Sequence, residues 1–230
     1  MAKKDLKDPQ LVQEQNLAEA ASKTEEFITK YGKIISWTVI GILVIGLAVV
    51  AYTKFYLQPK KAEASEQMFH AEQVFLLGGE ENYRTALEGD GNYLGFEEIA
   101  ETYGDKAGKA IWLYAGICEL QTGDYEQAVK YLKKYKVSDK ILQSRAQAAI
   151  AGAYVELERY EEALAEYKKA AATVDNMLSA GYLFQAGIVA EKLGKKDEAL
   201  ALYKEIKDKY YQSPEAMDID KYISNLENAE

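Results

Sequence analysis

The sequence predicts an all-α protein, in which one N-terminal transmembrane helix is followed by a superhelix of helix-turn-helix units. Three observations lead to this fold class. Residues 34–53 carry no charge, small and aromatic residues recur at a fixed spacing between residues 107 and 212, and 3 prolines against 16 glycines exclude collagen-like and proline-rich linker sequences. A hydrophobic fraction of 48% allows a sizeable core, and this length suits one large domain or one domain with an appendage.

The run from Ile34 to Thr53 has the composition of a membrane span. At about 1.5 Å per residue, a helix of about 20 residues covers the roughly 30 Å hydrocarbon core of a bilayer. Trp37 and Tyr52 stand near its two ends, where amphipathic rings favour the membrane–water boundary. A buried core helix rarely lacks charge for so long, and a cleaved signal peptide would have an unusually long charged region before it. We therefore expect an uncleaved anchor.

The charges beside the span determine its orientation only weakly. Residues 1–33 form a polar tail without net charge, which fits either a weak helix or a mobile segment. The lysines near the two ends of the span are equal in number, so the positive-inside rule gives no preference. The tail is the simplest part to leave in the cytoplasm, so we expect the C-terminal domain on the opposite side. Residues 54–230 carry 22 basic and 31 acidic residues, which disfavours anionic lipid or nucleic acid as a partner. The inverted orientation stays open.

A repeat fills residues 107–212. Small residues recur at intervals of 35 and 36, each followed four positions later by a large residue: Ala128 with Leu132, Ala163 with Tyr167, and Ala199 with Tyr203. A matching block precedes each copy: Trp112 with Ala115 and Gly116, Gln147 with Ile150 and Ala151, and Leu183 with Ala186 and Gly187. This order is that of tetratricopeptide repeats, in which two helices cross closely at small side chains and neighbouring pairs stack into a superhelix.

The span and the repeats together set the predicted boundaries along the chain. We predict a polar tail over 1–33, the transmembrane helix over 34–53, a linker helix with a degenerate first unit over 54–106, three repeats over 107–212, and a C-terminal capping helix over 213–230. Ser213 and Pro214 suit a helix start. The linker helix offers four large side chains for packing: Met68, Phe69, Phe75 and Leu76. The capping helix is expected to turn four inward: Met217, Tyr222, Ile223 and Leu226.

The segment from Ala86 to Lys136, preceded by one span, resembles the bacterial single-span tetratricopeptide-repeat proteins of the ancillary Sec-translocon subunit (YfgM-like) type, especially those of Bacteroidota. The resemblance covers about residues 30–226. It implies a protein of the bacterial inner membrane with a cytoplasmic N-terminus and a periplasmic repeat domain, beside the Sec translocon and periplasmic chaperones. The chain departs from the repeat pattern at Gln147, where a large apolar residue is usual, and at Glu158, where the turn usually has glycine.

No pattern predicts catalysis, a cofactor or a metal site. Phosphate-binding and metalloprotease motifs are missing from the sequence, and one His and one Cys cannot supply a metal cluster. The segment from Asp90 to Glu101 partly copies a calcium loop, but Leu94 replaces an oxygen ligand, so a polar turn followed by a helix is expected. Cys118 is expected to be a buried apolar residue, and His70 a solvated or interface side chain.

The expected partner-binding groove lies on the first helix of each repeat. The positions in register are Leu113, Ile117 and Leu120; Arg145, Ala148, Gly152 and Val155; and Phe184, Ile188 and Glu191. A mostly apolar groove of this kind either binds a protein partner or is filled by the protein's own chain, for example by the helix over residues 60–77. The sequence therefore predicts a non-enzymatic scaffold. The alternative is a scaffold of another envelope complex that faces the cytoplasm.

Overall fold

The computed structural model describes residues 9–228, without the side chains of residues 9–21, 23–24 and 26–28. The ends of the predicted tail and of the predicted capping helix, residues 1–8 and 229–230, lie outside the described residues. The chain is 82% helical, and its described part contains no β-strand. Two compact units are present, Met1–Pro59 and Lys60–Glu230.

The first unit contains helix α1, Pro9–Tyr52, and a short π-helix, Thr53–Leu57. Helix α1 includes the predicted span up to Tyr52 and most of the predicted polar tail, and Thr53 is the first residue of the π-helix. Its apolar side chains are exposed throughout the predicted span, whereas a core helix of a soluble protein would bury them. Near the N-terminus, one helix of the described residues is long and apolar enough to cross a membrane. The π-helix lies just before Pro59, whose missing N–H and bulky ring disturb the regular helical hydrogen bonds.

The second unit consists of α-helices joined by short turns. A linker helix and two short helices come first: α2 Gln58–Leu77, α3 Glu80–Glu88 and α4 Phe96–Thr102. Three helix pairs follow: α5 Ala110–Thr122 with α6 Tyr125–Leu132, α7 Lys140–Glu156 with α8 Tyr160–Val174, and α9 Leu178–Lys192 with α10 Lys196–Lys209. Helix α11, Ile219–Asn228, ends the described chain. The predicted all-α class with one degenerate unit, three repeats and a capping helix is confirmed.

Each helix pair turns at a residue with positive φ. The residues are Gly123 (φ 92°), Glu158 (φ 56°) and Gly194 (φ 72°). Glycine adopts this backbone without a Cβ clash, whereas Glu158 is strained there. The second helices α6 and α8 begin two residues after these turn positions, at Tyr125 and Tyr160. Each turn therefore lies between the two blocks of small residues that define its repeat.

Small side chains lie where the paired helices cross. Ala128, Ala163 and Ala199 are completely buried. A Cβ added at Gly116 would lie 2.6 Å from Cγ of Leu132, and one added at Gly187 would overlap the ring of Tyr203. The close crossings leave no room for larger side chains, as the repeat pattern predicts.

The degenerate first unit has its own apolar cluster. Met68 of α2 packs there with the fully buried Phe96 and Ile99 of α4. The expectation that Phe69 and Leu76 also pack is wrong, because their exposed fractions are 57% and 72%. The buried residues of α2 are Ala64, Met68 and Ala71, so the linker helix buries only a narrow stripe of small and flexible side chains.

The C-terminal end covers the last repeat. Ile219 and Ile223 of α11 are buried, and Tyr222 and Leu226 pack against the same core. Ser213 caps a short 3₁₀ turn over Glu215–Met217, where its hydroxyl oxygen accepts a hydrogen bond from the backbone N–H of Ala216 at 3.2 Å. Since α11 begins only at Ile219, Met217 lies in this turn and is 83% exposed, which corrects the expectation that it points inward.

Candidate functional site

The first-helix face comprises the ten predicted groove positions on α5, α7 and α9. Four of its apolar side chains are half-buried and pack against the core beneath them: Leu113, Leu120, Val155 and Phe184. Ile117, Ala148 and Gly152 are half-buried, while Arg145, Ile188 and Glu191 are exposed. Each of the three helices therefore contributes both a packed and a more accessible position to this face.

Two residues of this face contact the protein's own chain. The ring of Phe184 meets that of Tyr222 in α11 edge-on, with centroids 4.9 Å apart. The carboxylate of Glu191 accepts a hydrogen bond from the hydroxyl of Tyr203 at 2.5 Å. Burial, together with this carboxylate, raises the pKa of Tyr203 above its usual range, so the phenol remains a donor. Phe184 and Glu191 thus have structural roles in the third repeat.

The linker helix α2 reaches α5 at a position that the sequence reasoning did not select. The ring of Phe75 lies 5.0 Å from that of Tyr114, and Tyr114 stacks on Phe96 of α4 at 5.3 Å. Tyr114 follows Leu113 in the chain, and Leu113 packs against the clusters of both the degenerate unit and the repeats. Phe75 of α2 therefore contacts α5 at Tyr114, the residue next to the predicted groove position Leu113.

A cavity of about 690 Å³ opens near the second and third repeats. Its lining comes from α7, α8, α9 and the 3₁₀ turn: Ala148, Tyr167, Met177, Leu178, Gly181, Tyr182, Gln185, Pro214 and Glu215. Of the predicted groove residues, Ala148 alone lines it. Met177 and Leu178 remain 48% and 41% exposed despite their apolar side chains. This cavity extends the first-helix face with apolar surface that is open to solvent.

Sequence reasoning missed the residues at the beginning of α9, although a signal for them exists. The exposed apolar pair Met177 and Leu178 repeats the exposed pair Ile141 and Leu142 one repeat earlier. Both pairs stand at the N-terminal ends of first helices. Two exposed apolar side chains at the same place in successive repeats indicate a surface that continues across the repeats.

The side chains that could carry chemistry, Cys118, His70 and Asp90, have structural contacts instead. Cys118 is completely buried, and burial, followed by the neighbouring Glu119, raises the pKa of its thiol to about 12. His70 stacks on Tyr93 with ring centroids 3.6 Å apart. Asp90 accepts hydrogen bonds from the backbone N–H groups of Asn92 and Tyr93, in the polar turn that precedes α4. Within the described part of the chain, no three acidic, His or Cys side chains converge to ligate a metal ion.

Comparison with known families identifies the helix pairs. Models of the tetratricopeptide repeat match residues 110–138, 144–172 and 182–213. These segments begin in α5, α7 and α9 and cover the three pairs. A comparison with curated proteins gave no match. The chain therefore contains three tetratricopeptide repeats, a fold typical of protein-interaction scaffolds. In the sequence they follow an N-terminal helix that is apolar and long enough to span a membrane.

Proposed function

We propose that the chain is a non-enzymatic, membrane-anchored scaffold that binds a protein partner on its first-helix face. The observation that carries this proposal is the open apolar cavity beside Ala148, Met177 and Leu178. Covering one large apolar side chain fully contributes about 1.5–3 kcal/mol. A few such contacts reach the roughly 8 kcal/mol that micromolar binding needs. Arg145 and Glu191 are both exposed at the edge of this face and orient the partner with charges of opposite sign, Glu191 while it also accepts the hydrogen bond from Tyr203.

The proposed partner is the Sec translocon or a periplasmic chaperone beside it. Support comes from the resemblance to single-span Sec-associated repeat proteins and from the apolar run over residues 34–53. In this arrangement the N-terminus is cytoplasmic and the repeat domain lies outside the bacterial inner membrane. The acidic balance of residues 54–230 favours a position away from anionic lipid headgroups. The alternative is a scaffold of another envelope complex with its repeats in the cytoplasm.

Cysteine labelling tests the orientation. Cys118 is a silent background because its thiol is buried and its pKa is raised to about 12. The exposed Asp208 on α10 can be changed by Asp208→Cys without disturbing the core. A membrane-impermeant maleimide should label this variant in intact cells. Labelling that requires disruption of the inner membrane would support the cytoplasmic alternative.

Photo-crosslinking tests the partner and the face. A photoreactive amino acid at Met177 samples the cavity, and one at Lys130, exposed on the second helix α6, serves as the control. Irradiation of intact cells should give a Met177 adduct with a Sec subunit or a periplasmic chaperone, identified by mass spectrometry, and none at Lys130. An adduct with a different envelope protein would retain the scaffold and replace the partner.

A further inference from the structure

Another pocket of the second unit is lined mainly by acidic side chains. It encloses about 280 Å³ between the degenerate unit and the first repeat. Arg84, Leu87 and Glu88 come from α3, Glu97 from α4, Glu119 from α5, and Asp124 from the turn before α6. With all groups ionised, four carboxylates face a single guanidinium.

Glu119 is the unusual member of this pocket. Its exposed fraction is 5%, yet no hydrogen bond or ion pair joins its carboxylate to another described residue. Among the described side chains, the atoms that are fully buried without a partner do not include its oxygens, so the carboxylate keeps a little exposure to the pocket. An ionised carboxylate with so little hydration is strongly unfavourable unless a cation or a hydrogen-bond donor faces it. A side chain buried in this way and lining an open pocket indicates a group that is supplied from outside.

The neighbouring charges do not provide that group. Arg84 pairs with residues of its own helix, at 3.4 Å from Glu80 and 3.9 Å from Glu88. Asp124 caps α6, where its side chain accepts a hydrogen bond from the backbone N–H of Gln127 at 3.0 Å. Burial first, and then the charges of Asp124, Glu97 and Glu88, raise the pKa of Glu119 to about 7. The pocket therefore has an excess of negative charge that a bound cation would neutralise.

The geometry favours an organic cation over a metal ion. Among the described residues, these carboxylates do not converge closely enough to ligate a metal. Leu87 is buried except for 6% of its surface, and this small apolar part of the lining can receive the alkyl stem of a cationic side chain while the carboxylates receive its head. We propose that this pocket binds the ammonium or guanidinium head of a Lys or Arg side chain from a protein partner, with Glu119 as its buried anion. The site uses none of the residues of the first-helix face, so the two proposals stand independently.

Small probes test the site on the full-length chain in detergent micelles at pH 8 and constant ionic strength. The probes are Nα-acetyl-lysine methylamide, its neutral isostere Nα-acetyl-norleucine methylamide, and spermidine as a free polyamine. At about ten times its dissociation constant, the lysine derivative should raise Tm by about 3 °C, measured by circular dichroism. The norleucine derivative should leave Tm unchanged.

Two variants connect the effect to the pocket. Glu119→Gln should abolish the shift, and Glu97→Gln, at the more accessible edge, should reduce it at least twofold. Asp208→Asn removes a carboxylate on α10 outside the pocket and should keep the full shift. The proposal is overturned if the lysine derivative has no effect, if the norleucine derivative acts equally, or if Glu119→Gln and Glu97→Gln both keep the shift. A shift with spermidine alone would assign the pocket to free polyamines and would also overturn the proposal.

Discussion

Gly187 of α9 lies directly against the ring of Tyr203 of α10, so closely that a Cβ at position 187 would overlap the ring. Tyr203 is completely buried at this crossing. Its hydroxyl donates to Glu191, which fixes the ring from its far end. The ring therefore has no free direction in which to yield, and the third helix pair depends on a glycine at this place.

Gly187→Ala should destabilise the repeat domain by about 1–3 kcal/mol, because the added methyl forces the ring or the helix to move. Gly152→Ala is the matched control in α7, since its Cβ would meet nothing closer than the Tyr167 hydroxyl at 3.8 Å. That change should be neutral or stabilise by about 0.5–1 kcal/mol, as alanine restricts the unfolded chain. Thermal unfolding followed by circular dichroism measures both. Equal stability of the two variants would contradict the close crossing.

Gln147→Leu should stabilise the second repeat. Gln147 is buried at the position that Trp112 and Leu183 occupy in the other copies, and its Oε1 has no hydrogen-bond partner. Removing an unsatisfied buried carbonyl should gain about 1–2 kcal/mol. Gln143→Leu in the same helix is the control, because Oε1 of Gln143 accepts a hydrogen bond from the backbone N–H of Val137 at 3.1 Å. The two changes should shift Tm in opposite directions, and a shift of the same sign would count against this assignment.

Glu158→Gly should also be stabilising, for a backbone reason. Glu158 has a φ of 56°, whereas Gly123 and Gly194 occupy the same turn in the other repeats. Relief of the left-handed conformation should contribute about 1 kcal/mol. The reciprocal change Gly194→Glu should destabilise by a similar amount. Both are measured as shifts in the midpoint of urea unfolding, and an unchanged midpoint in both would show that the turn carries no strain.

Glu119→Gln should change the pH dependence of stability. The folded-state pKa of Glu119, about 7, lies above its ordinary value of 4.5, so the folded protein holds this proton more tightly than the unfolded chain. Its contribution to stability is present below pH 4.5 and is lost as the pH rises through 7. The Tm of the parent should therefore fall more steeply between pH 5 and pH 8 than that of the variant. At pH 8 the variant should be more stable by about 2 kcal/mol. If the curves of Tm against pH coincide for the parent and the variant, the pKa of Glu119 is not raised in the folded protein.

The spacing of small residues predicted the helix pairs because a close crossing restricts side-chain size at fixed positions. Ala163 and Gly187 are recognisable in the sequence for this reason. Spacing along one helix does not reveal which neighbours cover it. The exposure of Phe69 on α2 and of Met217 before α11 depends on where other helices lie and where a 3₁₀ turn ends, so the sequence predicted both residues wrongly.

The candidate groove could likewise be predicted from the sequence only in part. The register that places Ile117 and Ile188 on first helices follows from the repeat alone. The contact between Phe184 and Tyr222 joins residues in different elements and requires the path of the chain after α10. The environment of Glu119 likewise requires α3, α4 and α6 to be placed around one position of α5. Periodicity alone cannot provide such placements.

The central claim is that the first-helix face binds a protein. Partner capture by a groove variant tests this claim most directly. The variant combines Ile117→Ser with Ile188→Ser and spares Phe184, which packs against Tyr222. Affinity capture from detergent-solubilised membranes, quantified by mass spectrometry, would compare it with the parent, while circular dichroism records Tm. We predict loss of the captured partner with a nearly unchanged Tm. Full capture by a variant that remains folded would contradict the claim and place the binding surface elsewhere on the protein.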